Sequence, residues 1–271
     1  MVMIQYEDGR LRVFQSALYC TTSTVMQMSN AVVVIDPTWL PEEVQAIRQY
    51  VDTILNGREL YLVFTHNDFD HILGAGAFPE ATTIATQTFA TCTKKEQVLQ
   101  EISAFDNTFY LQRPYQVQYP DIHLPIQVDG QELHLEDRTL QFYLAPGHTA
   151  DGLFIVDKTA GLLVAGDYFS NVEFPFIEDS YSAYVKTVEK AMQLFQQSDL
   201  TMLIPGHGHL AKTREEAELR MLFAHDYLQR LPHADEALAN QLRETFPFYD
   251  AMKKTHQKNI VKAQNERQAT N

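Results

Sequence analysis

The chain has 271 residues, 45% of them hydrophobic, which is enough for one large domain or two small ones with a proper core. Lys and Arg number 21 against 35 Asp and Glu, a formal charge of −14, and this argues against a nucleic-acid partner, which needs a concentrated cationic surface. No apolar run approaches the roughly 20 residues of a membrane helix. The opening "MVMIQYEDGRLRVF" lacks a basic region followed by a long apolar core. Cys20 and Cys92, without CxxC spacing, read as small apolar residues in a reducing compartment. The expectation is a cytoplasmic enzyme with a small-molecule substrate.

In chain order, "LRVFQSALYC", "TVMQMS" and "AVVVIDP" are rich in apolar and β-branched residues between polar turns, and predict successive strands. "LPEEVQAIRQYVDTIL" has apolar residues near helical spacing, a proline in its first turn and early glutamates, and predicts a helix. "LYLVF" then predicts a buried strand that delivers Thr65 and His66 at its end. Further on, "IQVDGQELHL" predicts a hairpin around Asp129-Gly130, and "TLQFYLAPGH", "GLFIVD" and "GLLVAGD" predict strands. "SAYVKTVEKAMQLFQQ" predicts an amphipathic helix, "TMLIPGHG" a strand into a loop, and "TREEAELRMLFAHDYLQRL" a helix with an acidic first turn. After about Phe248 the chain turns polar and lysine-rich, as a terminal helix or a frayed tail. Two successive halves of sheet plus helix predict an α/β sandwich in a single domain over 1–271, with a helical extension from about 234.

His66, Asp68, Asp70 and His71 crowd the loop after "LYLVF". "APGHTADG" sets His148 after a strand, "LVAGDYFS" sets Asp167 after another, and "IPGHGH" sets His207 after a third. Taken singly, each has a plain reading: His148 as a turn histidine bonded to a carbonyl, Asp167 as a turn cap. Four strand ends bearing His or Asp together are another matter. Crowded carboxylates without cations repel one another, and imidazoles plus carboxylates on rigid strand ends are what a divalent metal requires.

The series "THNDFDH", "APGHTADG", "LVAGD" and "IPGHGH", in that order and after those strands, resembles the metallo-β-lactamase fold superfamily over about residues 11 to 225. The resemblance implies a four-layer αββα sandwich. It implies one metal held by His66, Asp68 and His148, and a second held by Asp70, His71 and His207, with Asp167 bridging them. Asp36, ending "AVVVID", matches a family position that supports the ligands. The cofactors implied are two divalent ions, zinc by family, with iron or manganese open to the site.

Asp68 departs from the family's HxHxDH pattern, because a carboxylate stands where the second histidine belongs. Two divalent ions, three carboxylates and a hydroxide sum to neutrality, so the centre is a weaker Lewis acid than one with histidine there. An added oxygen ligand also moves preference toward iron or manganese. The alternative is that Asp68 only hydrogen-bonds a neighbouring ligand.

Two functions follow, and a third, a non-catalytic metal-binding or sensory module, is disfavoured because every ligand position is filled. The leading one is a metal-dependent hydrolase that uses a metal-activated hydroxide on an ester, thioester, lactone, amide or phosphoester, with Asp70 orienting the nucleophile and taking its proton. The other is a non-haem di-iron protein that binds or reduces oxygen or nitric oxide, as flavodiiron proteins do, since these carry a carboxylate at the position of Asp68. Those enzymes also need a flavodoxin-like domain, which these residues do not supply. The aromatic stretch after Asp167, with Tyr168, Phe174 and Phe176, either lines a substrate pocket or packs a loop onto the core. His209 is either an outer acid or a solvent-facing loop histidine.

Overall fold

The computed structural model describes residues 3–270. The chain is mixed α/β, its strands lie in two sheets, and it divides into compact units of residues 1–144 and 145–271.

The first unit runs β1 (Met3–Glu7), β2 (Leu11–Gln15), β3 (Thr22–Gln27), β4 (Ala31–Ile35), α1 (Pro41–Leu55), β5 (Glu59–Val63), α2 (Phe69–Ile72), β6 (Thr82–Thr86), α3 (Gln87–Ala90), α4 (Lys95–Phe109), β7 (Leu124–Ile126), β8 (Gln131–His134) and β9 (Thr139–Leu144). Strands β1 to β7 form one sheet in sequence order. The first four pair antiparallel across short turns, whereas β4 to β7 pair parallel, as their long connections require. Every residue of β4 is buried, the continuous apolar run expected of a strand covered on both faces.

Helix α1 starts where Pro41 presets the backbone and Glu43 accepts hydrogen bonds from Leu40 N (3.1 Å), Ala17 N (2.9 Å) and Ser16 Oγ (2.7 Å). It buries Val44, Ile47 and Val51, one helical face. Fully burying such side chains stabilises by about 1.5–3 kcal/mol each.

Two local expectations are corrected. The strand over "LRVFQSALYC" stops at Gln15, because Tyr19 and Cys20 turn the chain with φ of 52° each. The hairpin lies one strand later than Asp129-Gly130: β7 pairs with β6, and β8 pairs with β9. The Asp-Gly turn is tied to β9 instead, through Gly130 N to Phe142 O (2.8 Å) and Leu144 N to Asp129 Oδ1 (2.8 Å).

The second unit runs β10 (Leu153–Asp157), β11 (Leu162–Val164), α5 (Tyr181–Gln197), β12 (Met202–Ile204), α6 (Arg214–Arg230), α7 (Glu236–Thr245) and α8 (Tyr249–Thr270). β10 and β11 pair antiparallel, and β12 returns parallel to β11 after the α5 crossover. Side chains of Ser180, Thr213 and Asp235 cap α5, α6 and α7. The polar segment after Phe248 is a helix of 22 residues, with His256, Asn259 and Ala263 buried. Among the described residues no helix is long and apolar enough to cross a membrane.

Candidate metal centre

In the first unit the site grows from the carboxyl ends of two neighbouring parallel strands. β4 ends into Asp36 and β5 into Thr65 and His66; side chains there are held by the sheet while the loops beyond leave room for a ligand. The buried Asp36 carboxylate organises this edge. Its Oδ1 accepts from Thr65 N (2.9 Å), and its Oδ2 accepts from Thr65 Oγ1 (2.5 Å). The same Oδ2 lies 3.0 Å from His71 Nδ1, so that nitrogen carries the hydrogen and donates it.

One further tautomer follows. Thr65 has spent its only hydrogen on Asp36, so its Oγ1 accepts from His66 Nδ1 at 3.0 Å. As a neutral ring, each imidazole therefore presents Nε2 as a lone pair. His66 Nε2 lies 3.6 Å from Asp68 Oδ2, and His71 Nε2 lies 3.6 Å from Asp70 Oδ2. The two rings sit 4.1 Å apart by centroid. Thr38 Oγ1 donates to the Asp70 carbonyl and ties down the start of α2.

In the second unit Asp167 follows β11 and His207 follows β12, strands whose ends are in register at Val164 and Ile204. Asp167 Oδ2 lies 3.3 Å from His148 Nε2 and 3.2 Å from His207 Nε2. His148 Nδ1 is 2.8 Å from the Phe176 carbonyl, which can only accept, so Nδ1 donates and Nε2 is again the lone pair. His148 is brought in by Gly147, whose φ of 130° and closeness to Tyr184 exclude a side chain: a Cβ there would lie 2.3 Å from Tyr184 Cα.

With neutral imidazoles, lone pairs facing carboxylates at these distances repel unless a proton or a metal cation lies between them. Buried imidazole nitrogens beside part-buried carboxylate oxygens are the donor chemistry of zinc, iron or manganese, so the residues present fit a divalent metal. His66, His71 and His148 also each have the partner on the other ring nitrogen that metal-binding histidines use to fix their orientation.

The remaining residues singled out by sequence fall as follows. Tyr168 is buried, its hydroxyl accepts from His148 N (3.0 Å), and burial holds its phenol well above the ordinary range. Phe174 is buried against the rings of Tyr227, Phe246, Tyr249 and His256. Phe176 and Phe174 also line a narrow cleft with Asp167, Tyr184 and Arg220, of about 10 Å³, near one water in size. His209 is exposed; its backbone is fixed by Asn171 Oδ1 (2.7 Å) and by Arg220, which donates to its carbonyl (2.5 Å). Thr65 and the Phe176 carbonyl are the supports that sequence reading missed. A threonine after a strand carries no signal of its own, and a backbone carbonyl carries none at all.

This fold and these two His/Asp clusters belong to one class. The chain is a member of the metallo-beta-lactamase superfamily, whose family model matches residues 21–207. It is 29% identical over 160 residues to the acyl-coenzyme A thioesterase MBLAC2 of Bos taurus, covering 55% of this chain and 56% of that one. The chain thus spans about half the length of this curated relative. Among solved structures it resembles a metallo-beta-lactamase from Pontibacter korlensis, with TM-score 0.61, 14% identity, and coverage of 84% of this chain and 99% of that one. It also resembles the inverting sec-alkylsulfatase Pisa1 from Pseudomonas sp., with TM-score 0.68, 12% identity, and coverage of 89% and 44%. At such identities these two likenesses show the fold alone.

Proposed function

We propose that the chain is a metal-dependent hydrolase of a small-molecule ester, thioester, lactone, amide or phosphoester, working as one domain over 1–271. In this reading His66, Asp68 and His148 hold one divalent ion, Asp70, His71 and His207 hold a second, and Asp167 serves both. The observation that carries it is the set of fixed tautomers. His66, His71 and His148 each donate Nδ1–H to a protein acceptor and turn Nε2 toward a carboxylate, an arrangement built for cation binding.

When bound, the ions supply Lewis acidity and an activated water for attack on the substrate's carbonyl or phosphoryl centre. The chain's own residues do the rest. Asp36 holds Thr65 and His71, the Phe176 carbonyl holds His148, and Asp70 takes up the proton released by the nucleophile. Among the substrate classes, a thioester has the support of the likeness to the bovine thioesterase. Asp68 favours the second reading, a di-iron centre of redox function, because an oxygen ligand suits iron.

Elemental analysis of gently purified protein, followed by chromogenic ester, thioester, lactone and phosphodiester substrates, tests the proposal. About two metals per chain and turnover of one class are expected. Less than about one metal per chain, not raised by reconstitution, refutes the binuclear reading. Iron with a visible chromophore and no hydrolysis supports the redox reading instead.

The Asp36 relay has its own expected result. Asp36→Asn keeps the shape but places an amide where Thr65 and His71 both donate to Oδ2. Zinc affinity, read by competition with a chromophoric chelator, falls about 10–100-fold, the usual effect of losing such a partner. An affinity within about twofold of the parent removes Asp36 from the support of the site.

A further inference from the structure

Helix α8 lies beyond residue 207, where the family model stops, and is a largely polar helix of 22 residues. A polar terminal helix is ordinarily a solvated appendage. Here its polar side chains are directed at one strip of backbone, residues 175–182. Asn259 is buried, and its amide brackets Phe176 from both sides: Nδ2 donates to Pro175 O (2.6 Å) and Oδ1 accepts from Ile177 N (3.2 Å). Both partners have only one possible role, so the amide orientation is unambiguous.

Lys262 Nζ donates to the carbonyls of Glu178 (2.6 Å) and Asp179 (3.1 Å). Glu266 accepts from Tyr181 N (2.8 Å), Ser182 N (2.9 Å) and Ser180 Oγ (3.0 Å). Positions 259, 262 and 266 follow helical spacing, so one face of α8 makes all these bonds.

The strip in turn holds His148. The Phe176 carbonyl accepts from its Nδ1 (2.8 Å), while Glu178 N and Asp179 N both donate to its carbonyl (2.9 Å each). Behind Asn259 the network closes within the protein. Its Nδ2 also donates to Tyr227 Oη (2.9 Å), which in turn is hydrogen-bonded to His256 Nδ1 (3.1 Å). Burial holds His256 below its ordinary pKa, which favours the neutral ring.

We infer that Asn259 is a positioning residue for His148, acting through the Phe176 carbonyl, so that the C-terminal helix is a working part of the metal centre. The inference rests on His148 being a metal ligand, as proposed above. Its physical basis is preorganisation. The Phe176 carbonyl fixes both the tautomer and the angle of the ring, and Asn259 fixes that carbonyl from its two neighbouring peptide units.

The test uses the full chain with zinc ions alone as the probe, in three forms: parent, Asn259→Ala, and Met252→Ala. Met252 is buried on the same helix and is not bonded to the strip, so its loss weakens α8 packing without touching the clasp. Zinc affinity by chelator competition, melting temperature, and the His148 ring Nδ1–H signal by 15N NMR of the metal-free chain are read for each. Asn259→Ala is expected to weaken zinc binding about 10–100-fold and to speed exchange of the His148 Nδ1–H. Met252→Ala is expected to lower the melting temperature while leaving both other readouts within about twofold of the parent.

Unchanged zinc affinity in folded Asn259→Ala overturns the inference, as does an equal loss in Met252→Ala at equal melting temperature. If Asn259→Ala does not fold, Asn259→Asp keeps the acceptor for Ile177 N and loses the donor to Pro175 O; unchanged zinc binding there overturns it too. A parent chain that takes up no zinc, iron or manganese refutes the metal reading itself, and the His148 ring signal then decides the clasp by itself.

Discussion

Replacing Asp167 by alanine is expected to lower metal affinity by more than about 100-fold and to remove hydrolytic activity with it. The partners that merely orient metal ligands already account for about 10–100-fold each, and Asp167 stands one step closer. Within its own unit the carboxylate is the common target of two imidazoles, at 3.3 Å from His148 Nε2 and 3.2 Å from His207 Nε2. Taking it away leaves two imidazoles without the anion that offsets the charge of a cation, so the loss exceeds that of one ligand among several. Asp167→Asn separates charge from shape: it fits the same space, removes the negative charge, and is expected to fall nearly as far. Metal content after gel filtration and a circular dichroism spectrum decide the matter. A folded Asp167→Ala protein that keeps two metals and full activity takes Asp167 out of the site.

Asp68→Ala is expected to take the metal content from about two per chain to about one, because its proposed partners at that ion are His66 and His148. The position explains why the residue is informative. Asp68 stands at the N-cap of α2, where an aspartate ordinarily accepts from the helix's first amides, yet it makes no such side-chain bond. Its Oδ2 instead lies 3.6 Å from His66 Nε2, and the side chain is 39% exposed. The ordinary capping role is therefore not what holds it, and a carboxylate turned toward an imidazole lone pair is a ligand's posture. Asp68→His restores the more common family pattern and is expected to raise zinc affinity relative to manganese, since imidazole is the softer donor. Competition titrations with both ions read this directly. Should Asp68→Ala hold both metals at the parent's affinity, the carboxylate lies outside the ligand set and the preference for harder ions goes with it.

His66, His148, Asp167 and His207 were legible because each closely follows a short apolar run, and Asp68, Asp70 and His71 because they crowd the loop after the first of these. "AVVVI", "LYLVF", "GLLVAG" and "TMLIPG" announce buried strands whatever surrounds them, and His or Asp immediately after such a run stands at a sheet edge. Helices α1, α5 and α6 were legible for the same reason of period, reinforced by Pro41, Ser180 and Thr213 at their starts. The stretch over 79–125 was not. Helix α4 fully buries only Val98 and Ile102, so its apolar spacing is thin, and β6 and β7 are short strands whose place depends on parallel neighbours far away in sequence. The Asp129-Gly130 turn was legible as a turn, but β9 decided which strands it joins.

Outside residues 79–125, local sequence thus determined most of the strands and helices and which side chains follow them, because hydrophobic period and caps act over a few residues. Tertiary structure alone decided the hydrogen-bonded supports. Asp36 reaches His71 across 35 positions, and Asn259 reaches Ile177 across 82. No period encodes such a pairing, and the acceptor that holds His148 is a backbone carbonyl, which every residue possesses. Only the packed chain selects which one it is.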